Sequence, residues 1–336
     1  MKTILTIVTT VWLALPAFTQ AAPLVYEGES GPGKGKHIVL IANDHNYRSQ
    51  ETVPALARIL AKHHGFKCTV LFGVDPETGV IVPGNQILTG LESLKTADLL
   101  VIYTRWQNWP PDQMQHFVDY LNRGGPIVGL RTATHAFRIP EDSPFAKYSS
   151  KYPKEEYKNG FGRQVLGETW VSHHGKNGVQ STRLDIVADK AKHPILRGVK
   201  DMWVPSGGYF TDPTKDCEIL AMAQPLDGMN PNSKAAAEFK PFPGAWTKTY
   251  QGKSGAKGRT FTSTYGASDD ILNEGYRRSL INACFWAAGL EDKIKPDANI
   301  SFVGPYHPTW LNKADPNFGK PQALSAWDST IGATKK

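Results

Sequence analysis

The sequence predicts an α/β protein built on a mostly parallel, doubly wound sheet with helices on both faces, and three observations predict it. Short apolar runs alternate along the first half of the chain with segments of helical spacing. The runs are continuously apolar, as strands buried on both faces require, rather than alternating apolar and polar. Four such runs are joined by helix-length crossovers, which favours parallel neighbours over hairpins.

Residues 37–42 (HIVLIA) form the first run. Val53, Leu56, Ala57 and Leu60 then fall at helical spacing, with Pro54 expected near the first turn and Gly65 placed where a helix ends with positive φ. His63 and His64 close that helix and read as cations facing the dipole's negative end. Residues 68–72 and 99–103 are the second and third strands. Pro110-Pro111-Asp112 opens a helix carrying Met114, Phe117, Val118 and Leu121 on one face, and Gly124-Gly125 ends it. Residues 127–130 are the fourth strand, followed by a turn into 133–137. The second half is less regular, with strands at 184–188, 219–223, 245–250 and 259–264. A helix at 274–288 follows. Glu274 in its first turn suits the dipole, while Arg277 and Arg278 can reach either a ligand carboxylate or a neighbouring Glu.

The organisation expected is a signal peptide at 1–22, a Gly/Pro-rich flexible lead-in at 23–36, one domain at 37–293, and a tail at 294–336 packed on or trailing from that domain. Lys2 followed by an apolar run to Ala17 and small residues near Ala21 is the pattern of a secretory signal. The run is too short to span a bilayer, so the mature protein is expected to be secreted or periplasmic with no membrane span. The formal net charge of +7 is scattered, without a dense Lys/Arg run interleaved with aromatics, so nucleic acid is not an expected partner. Cys68, Cys217 and Cys284 are too few and too far apart for a disulfide framework or a zinc ribbon and read as buried thiols.

In an open parallel sheet, ligands gather at the carboxyl ends of the strands. The sequence places Asn43, Asp44, His45, Tyr47 and Arg48 after the first strand. Thr104, Arg105 and Trp106 follow the third, Arg131, Thr132 and His135 the fourth, and Tyr265 and Gly266 the last. Aromatic faces beside Arg and Asp suit a polyhydroxylated or anionic small molecule. The turn at 129–133 has the form of a strand-to-helix elbow that could present a nucleophile. Arg131 occupies the elbow, so no thiol is available there. Thr132 is either a replacement nucleophile relying on His135 or a hydroxyl that stabilises the turn. His173 and His174 form a second feature. They read as acid/base or substrate-contact residues, as metal ligands together with His45 and His135, or as a structural pair. A divalent metal is therefore one reading of the cofactor, with His45 and His174 as its ligands.

These residues also carry a resemblance. The runs at 47–51, 64–72, 97–105, 126–137, 245–250, 258–267 and 274–278, with Asn282-Ala283, resemble the secreted branch of ThuA-like (trehalose utilisation) proteins, of the class I glutamine amidotransferase-like superfamily. The likeness covers about residues 36–310. It implies a single flavodoxin-like domain and a carbohydrate context, including keto-sugars, without supplying a mechanism. Many members carry His where Arg131 stands. The family's Asp-Glu-x-Tyr pattern is reduced here to Tyr209.

The expected function is acid/base chemistry on a sugar, keto-sugar or glycoside derivative, not glutamine amidotransfer. His135, His173 or His174 would act as base, with Asp44 and Glu51 orienting. Tyr47, Arg48, Arg105, Trp106, Arg131, Thr132, Tyr209 and Tyr265 would contact the substrate. The alternatives are a non-catalytic sugar-binding protein and a metal-dependent hydrolase. The expected partner is a small carbohydrate, and a homo-oligomer is compatible with the sequence.

Overall fold

The structure, a computed structural model, describes residues 23–75, 77–316, 320 and 327. The expected signal peptide lies outside the described residues. In chain order the strands of the first half are β1 (Leu24–Tyr26), β2 (His37–Asn43), β3 (Lys67–Phe72), β4 (Leu99–Thr104) and β5 (Ile127–Leu130). The second half adds β6 (His173–His174), β7 (Thr182–Ile186), β8 (Trp203–Val204), β9 (Gly208–Tyr209), β10 (Glu218–Pro225), β11 (Phe242–Gln251) and β12 (Lys257–Ser263). Three α-helices are described: α1 (Ser49–His64), α2 (Pro111–Asn122) and α3 (Glu274–Ala287).

The main sheet runs β1-β3-β2-β4-β5-β12-β11-β10-β7-β8. Its core, β3-β2-β4-β5-β12, is parallel throughout. Beyond β12 the sheet continues through antiparallel partners. Numbered among themselves, the parallel strands lie in the order 2-1-3-4-5, a doubly wound arrangement whose direction reverses between β2 and β4. Alternation along β2 sorts the two faces. Ile38, Leu40 and Ala42 join the core packed by α1 and α3, whereas Val39 and Ile41 join the core packed by α2. Among the described residues no helix is long and apolar enough to cross a membrane.

The lead-in is not free, which corrects the expectation for 23–36. Leu24 and Tyr26 face inward and Val25 outward, so this short alternating segment has an apolar face to bury and adds β1 antiparallel to β3. The tail at 294–316 is likewise packed, with Ile294, Ile300 and Trp310 in the larger core. Pro54 sits in the second turn of α1, deeper than expected. Fourteen of the sixteen α1 residues are buried, and that packing outweighs the hydrogen bond a proline cannot make. Gly65 ends α1 with φ 81°, and a Cβ there would lie 2.6 Å from the Ser30 carbonyl oxygen. All three cysteines are free; Cys68 and Cys284 are buried and Cys217 is half-buried.

His64 departs from its expected role as a helix-end cation. It is buried with its ring edge-on to Phe285 at 5.1 Å, and Nε2 has no partner among the described residues. Burial, and then the neighbouring His63, lower its pKa to about 4. It is therefore neutral at pH 7 and does not complement the dipole. The unfolded chain takes up this proton near pH 6.5, the folded chain only near 4. His64 should thus cost no stability above pH 6.5 and about 3 kcal/mol by pH 4, growing as the pH falls between the two values. Urea unfolding from pH 7 to 4 should show a shallower loss in His64→Gln than in the wild type; identical slopes would refute the assignment.

Candidate active site

The carboxyl ends of β2, β4 and β5 meet over the point where the strand order reverses. Five non-glycine residues of the described chain have positive φ, and three of them follow these strands: Arg48 (61°), Trp106 (52°) and Arg131 (44°). Strained backbone of this kind persists only where surrounding contacts hold it, and it gathers at functional sites.

Arg131 forms the floor. It has no exposed surface. Its Nη1 donates to the Ser206 hydroxyl at 3.1 Å and the Thr264 carbonyl at 3.3 Å. Its guanidinium lies 3.6 Å from the Tyr47 ring centroid and 5.4 Å from that of Tyr209. Ser206 passes the contact on, donating from Oγ to Asp270 Oδ2 at 2.7 Å. The Gly266 and Ala267 N–H groups also donate to that oxygen. Burial opposes the charge on Arg131, while the Asp270 carboxylate and the Tyr47 and Tyr209 ring faces favour it. Burial likewise pushes the Asp270 carboxyl up, while Arg131 and these donors pull it back.

His135 stands above the floor, 3 % exposed. Its ring is 5.9 Å from Trp106, 5.3 Å from Trp170 and 5.7 Å from Tyr209. Thr134 Oγ1 donates to the Arg131 carbonyl at 3.3 Å, which uses its one proton. With its proton so placed, Oγ1 accepts from His135 Nδ1, 3.2 Å away, an arrangement that puts the ring proton on Nδ1 and the lone pair on Nε2. Nε2 has no protein partner among the described residues. Burial, then the cations Arg105 and Arg131, hold the His135 pKa well below its ordinary value, so the ring is a neutral base.

His173 completes the wall. Its ring is 5.6 Å from Trp170 and 5.8 Å from Tyr209, and Nε2 is 3.2 Å from the Tyr47 hydroxyl. Asn177 Nδ2 donates to the same hydroxyl at 3.3 Å. Trp310, from the tail, packs behind Tyr47 at 5.8 Å. Asp44 Oδ1 accepts from the Asn46 and Tyr47 N–H groups and so fixes the loop, while its buried Oδ2 has no partner among the described residues. Burial raises the Tyr209 phenol well above its ordinary pKa, leaving a neutral hydroxyl donor.

The fold thus gathers Asp44, His45, Tyr47, Arg105, Trp106, Arg131, His135, His173 and Tyr209 and leaves other candidates outside. His174 points away from His173, because adjacent strand residues face opposite sides. It sits among Phe210, Phe239 and Phe242, with Nε2 at 3.0 Å from the Lys240 carbonyl. Glu51 is bound by Arg48 at 2.8 Å and by the Thr309 N–H and hydroxyl at 2.8 and 2.6 Å; both residues fasten the tail instead of meeting His135. Tyr265 is fully buried beneath the site, its hydroxyl 2.2 Å from where a Gly208 Cβ would stand. The Thr132 hydroxyl has no base in contact, since His135 Nδ1 binds Thr134. Arg278 reaches Glu274, and Arg277 donates to backbone carbonyls.

The residues do not fit the metal reading. Nε2 of His45 faces the Arg105 guanidinium at 2.9 Å, and His174 is enclosed by phenylalanines. Among the described residues no group of three His, Cys, Asp or Glu side chains converges as a cation site. Trp170, Asn177, Ser206, Asp270 and Arg138 were not foreseen. Asp270 had a signal, an acidic pair just past the last parallel strand; Trp170 had none.

The family described as "ThuA: Trehalose utilisation" matches residues 38–287, well over half of the chain. The chain belongs to the ThuA family. That membership suggests carbohydrate utilisation at the level of the family. A protein from Bacteroides uniformis described as ThuA-like superimposes with a TM-score of 0.50 at 14 % identity, covering 81 % of this chain and 98 % of that one. A ThuA-like protein from Parabacteroides merdae superimposes with a TM-score of 0.46 at 15 % identity, covering 88 % of this chain and 100 % of that one. The first likeness supports the fold alone. No curated protein matches the chain.

Because Arg131 offsets the buried Asp270, Arg131→Met should destabilise the protein by about 3–5 kcal/mol. Asp270→Asn in the Arg131→Met background should recover part of the loss. Chemical denaturation of the single and double variants measures both. Additive losses would show that the two charges do not interact.

Proposed function

We propose that this ThuA-family chain is a carbohydrate-active enzyme, exported to the periplasm or outside the cell, that removes a proton from the carbon next to a sugar carbonyl. The observation carrying this reading is His135. It is a neutral imidazole whose Nε2 has no partner among the described residues, set among two tryptophans and a tyrosine. Indole and phenol faces suit the C–H faces of a sugar ring. His135 would take the proton, and the Tyr209 hydroxyl would donate to the oxyanion that develops. The buried charge of Arg131 favours that negative charge from below. Tyr47 and His173 would orient the substrate, and Arg105 and Trp106 would border it.

We place the chain in the class I glutamine amidotransferase-like superfamily without amidotransferase activity, since Arg131 occupies the elbow and the three thiols are elsewhere. A keto-sugar or 3-keto-glycoside is the substrate class this chemistry needs, with isomerisation or elimination as the outcome. The aromatic wall also favours a second reading, sugar binding without turnover.

Incubation with 3-keto-glycosides, followed by mass spectrometry, should show product. His135→Gln should lower kcat by about 10²–10⁴-fold. The acid limb of the wild-type rate profile should lie below pH 6.5, because burial and the nearby cations lower the His135 pKa. Substrate binding with no turnover would favour the second reading; an unchanged rate in His135→Gln would end the first.

A further inference from the structure

The chain has twelve arginines, all among the described residues. Ten donate a guanidinium hydrogen bond to a protein oxygen. The two that do not, Arg105 and Arg138, lie together. The Arg105 guanidinium carbon is 3.5 Å from the Trp106 ring centroid, and that of Arg138 is 4.2 Å from it. The two cations can therefore be no further apart than the sum of these distances, about 8 Å, close enough to repel. Arg105 has a side-chain hydrogen bond only to the imidazole of His45, at 2.9 Å, and Arg138 has none among the described residues. Neither has a carboxylate at salt-bridge distance among those residues.

The backbone holds the pair in place. The Trp106 N–H donates to the His135 carbonyl at 3.1 Å, Gln107 to Ala136 at 2.7 Å, and Arg138 to Gln107 at 2.9 Å. This zipper locks the segments after β4 and β5 together and sets both cations beside His135. A guanidinium stacked on an indole keeps its in-plane N–H edges free for an oxyanion.

We propose that Arg105 and Arg138, held against Trp106, form a clamp for an anionic substituent, carboxylate or phosphate, on the sugar that His135 acts upon. The substrate class is thereby narrowed to sugar acids or sugar phosphates, an inference that rests on the carbohydrate reading of the same site. Both arginines also help keep His135 neutral, so a bound anion would strengthen its basicity as the substrate arrives.

Calorimetric titration at low ionic strength with glucuronate, glucose 6-phosphate, glucose and inorganic phosphate tests the clamp, with thermal melting to verify the fold of each variant. At least one anionic sugar should bind about tenfold or more tighter than glucose, and whichever does so identifies the anion. The ratio should shrink as salt rises and approach 1 in the Arg105→Gln/Arg138→Gln double variant. Arg105→Lys/Arg138→Lys should keep part of it. Equal affinities in the wild type, or a preference that persists in the glutamine double variant, would overturn the proposal. Arginine-dependent binding of inorganic phosphate, with no sugar bound, would uphold the clamp and end the carbohydrate reading.

Discussion

A guanidinium with no exposed surface has lost its hydration, and several kilocalories per mole must be recovered from its surroundings. Arg131, at the end of the fourth parallel strand, meets that demand in part, through Nη1 and its charge, while its buried Nε and Nη2 have no partner among the described residues. The Tyr47 face, the Ser206 hydroxyl, the Thr264 carbonyl and the carboxylate of Asp270 are the groups that recover it. They come from the loop after β2, the segment before β9 and the segment after β12. One buried charge therefore ties distant parts of the chain to a single spot, and the His135 wall stands on it.

The doubly wound order explains why the spot lies there. Chains leaving β2 and β4 diverge, and the gap between them is filled by loops instead of crossover helices. Arg48, Trp106 and Arg131 hold left-handed backbone at the gap's edges, each turning the chain sharply as it leaves its strand. Arg48 is held there by the buried carboxylate of Glu51, and Trp106 by two guanidinium groups. The strain is thus matched by contacts that no ordinary loop would have.

Much of this was legible in the sequence. Continuous apolar runs marked the parallel core because burial on both faces leaves no alternation to mask them. The rim residues after β2, β4 and β5 followed from the strand ends alone. His173 and His174 were harder. Adjacency suggests cooperation, yet a two-residue strand sends the side chains to opposite faces, one to the site and one into a phenylalanine cluster. Glu51 looked available because its partners, Thr309 and the tail, lie more than two hundred residues away. Leu24–Tyr26 seemed a free lead-in because three residues are too few for periodicity to register. His64 was misread since helix-end position, unlike burial, is visible in a sequence.

The tail's part in the site carries a consequence for biosynthesis. Trp310 backs Tyr47, and Thr309 grips Glu51, so the wall beside Arg131 is finished by residues near the end of the chain. A nascent polypeptide that has emerged as far as α3 carries every strand of the main sheet yet still lacks this last support. A product shortened before Thr309 would lose both contacts, and with them the order of the wall beside Arg131.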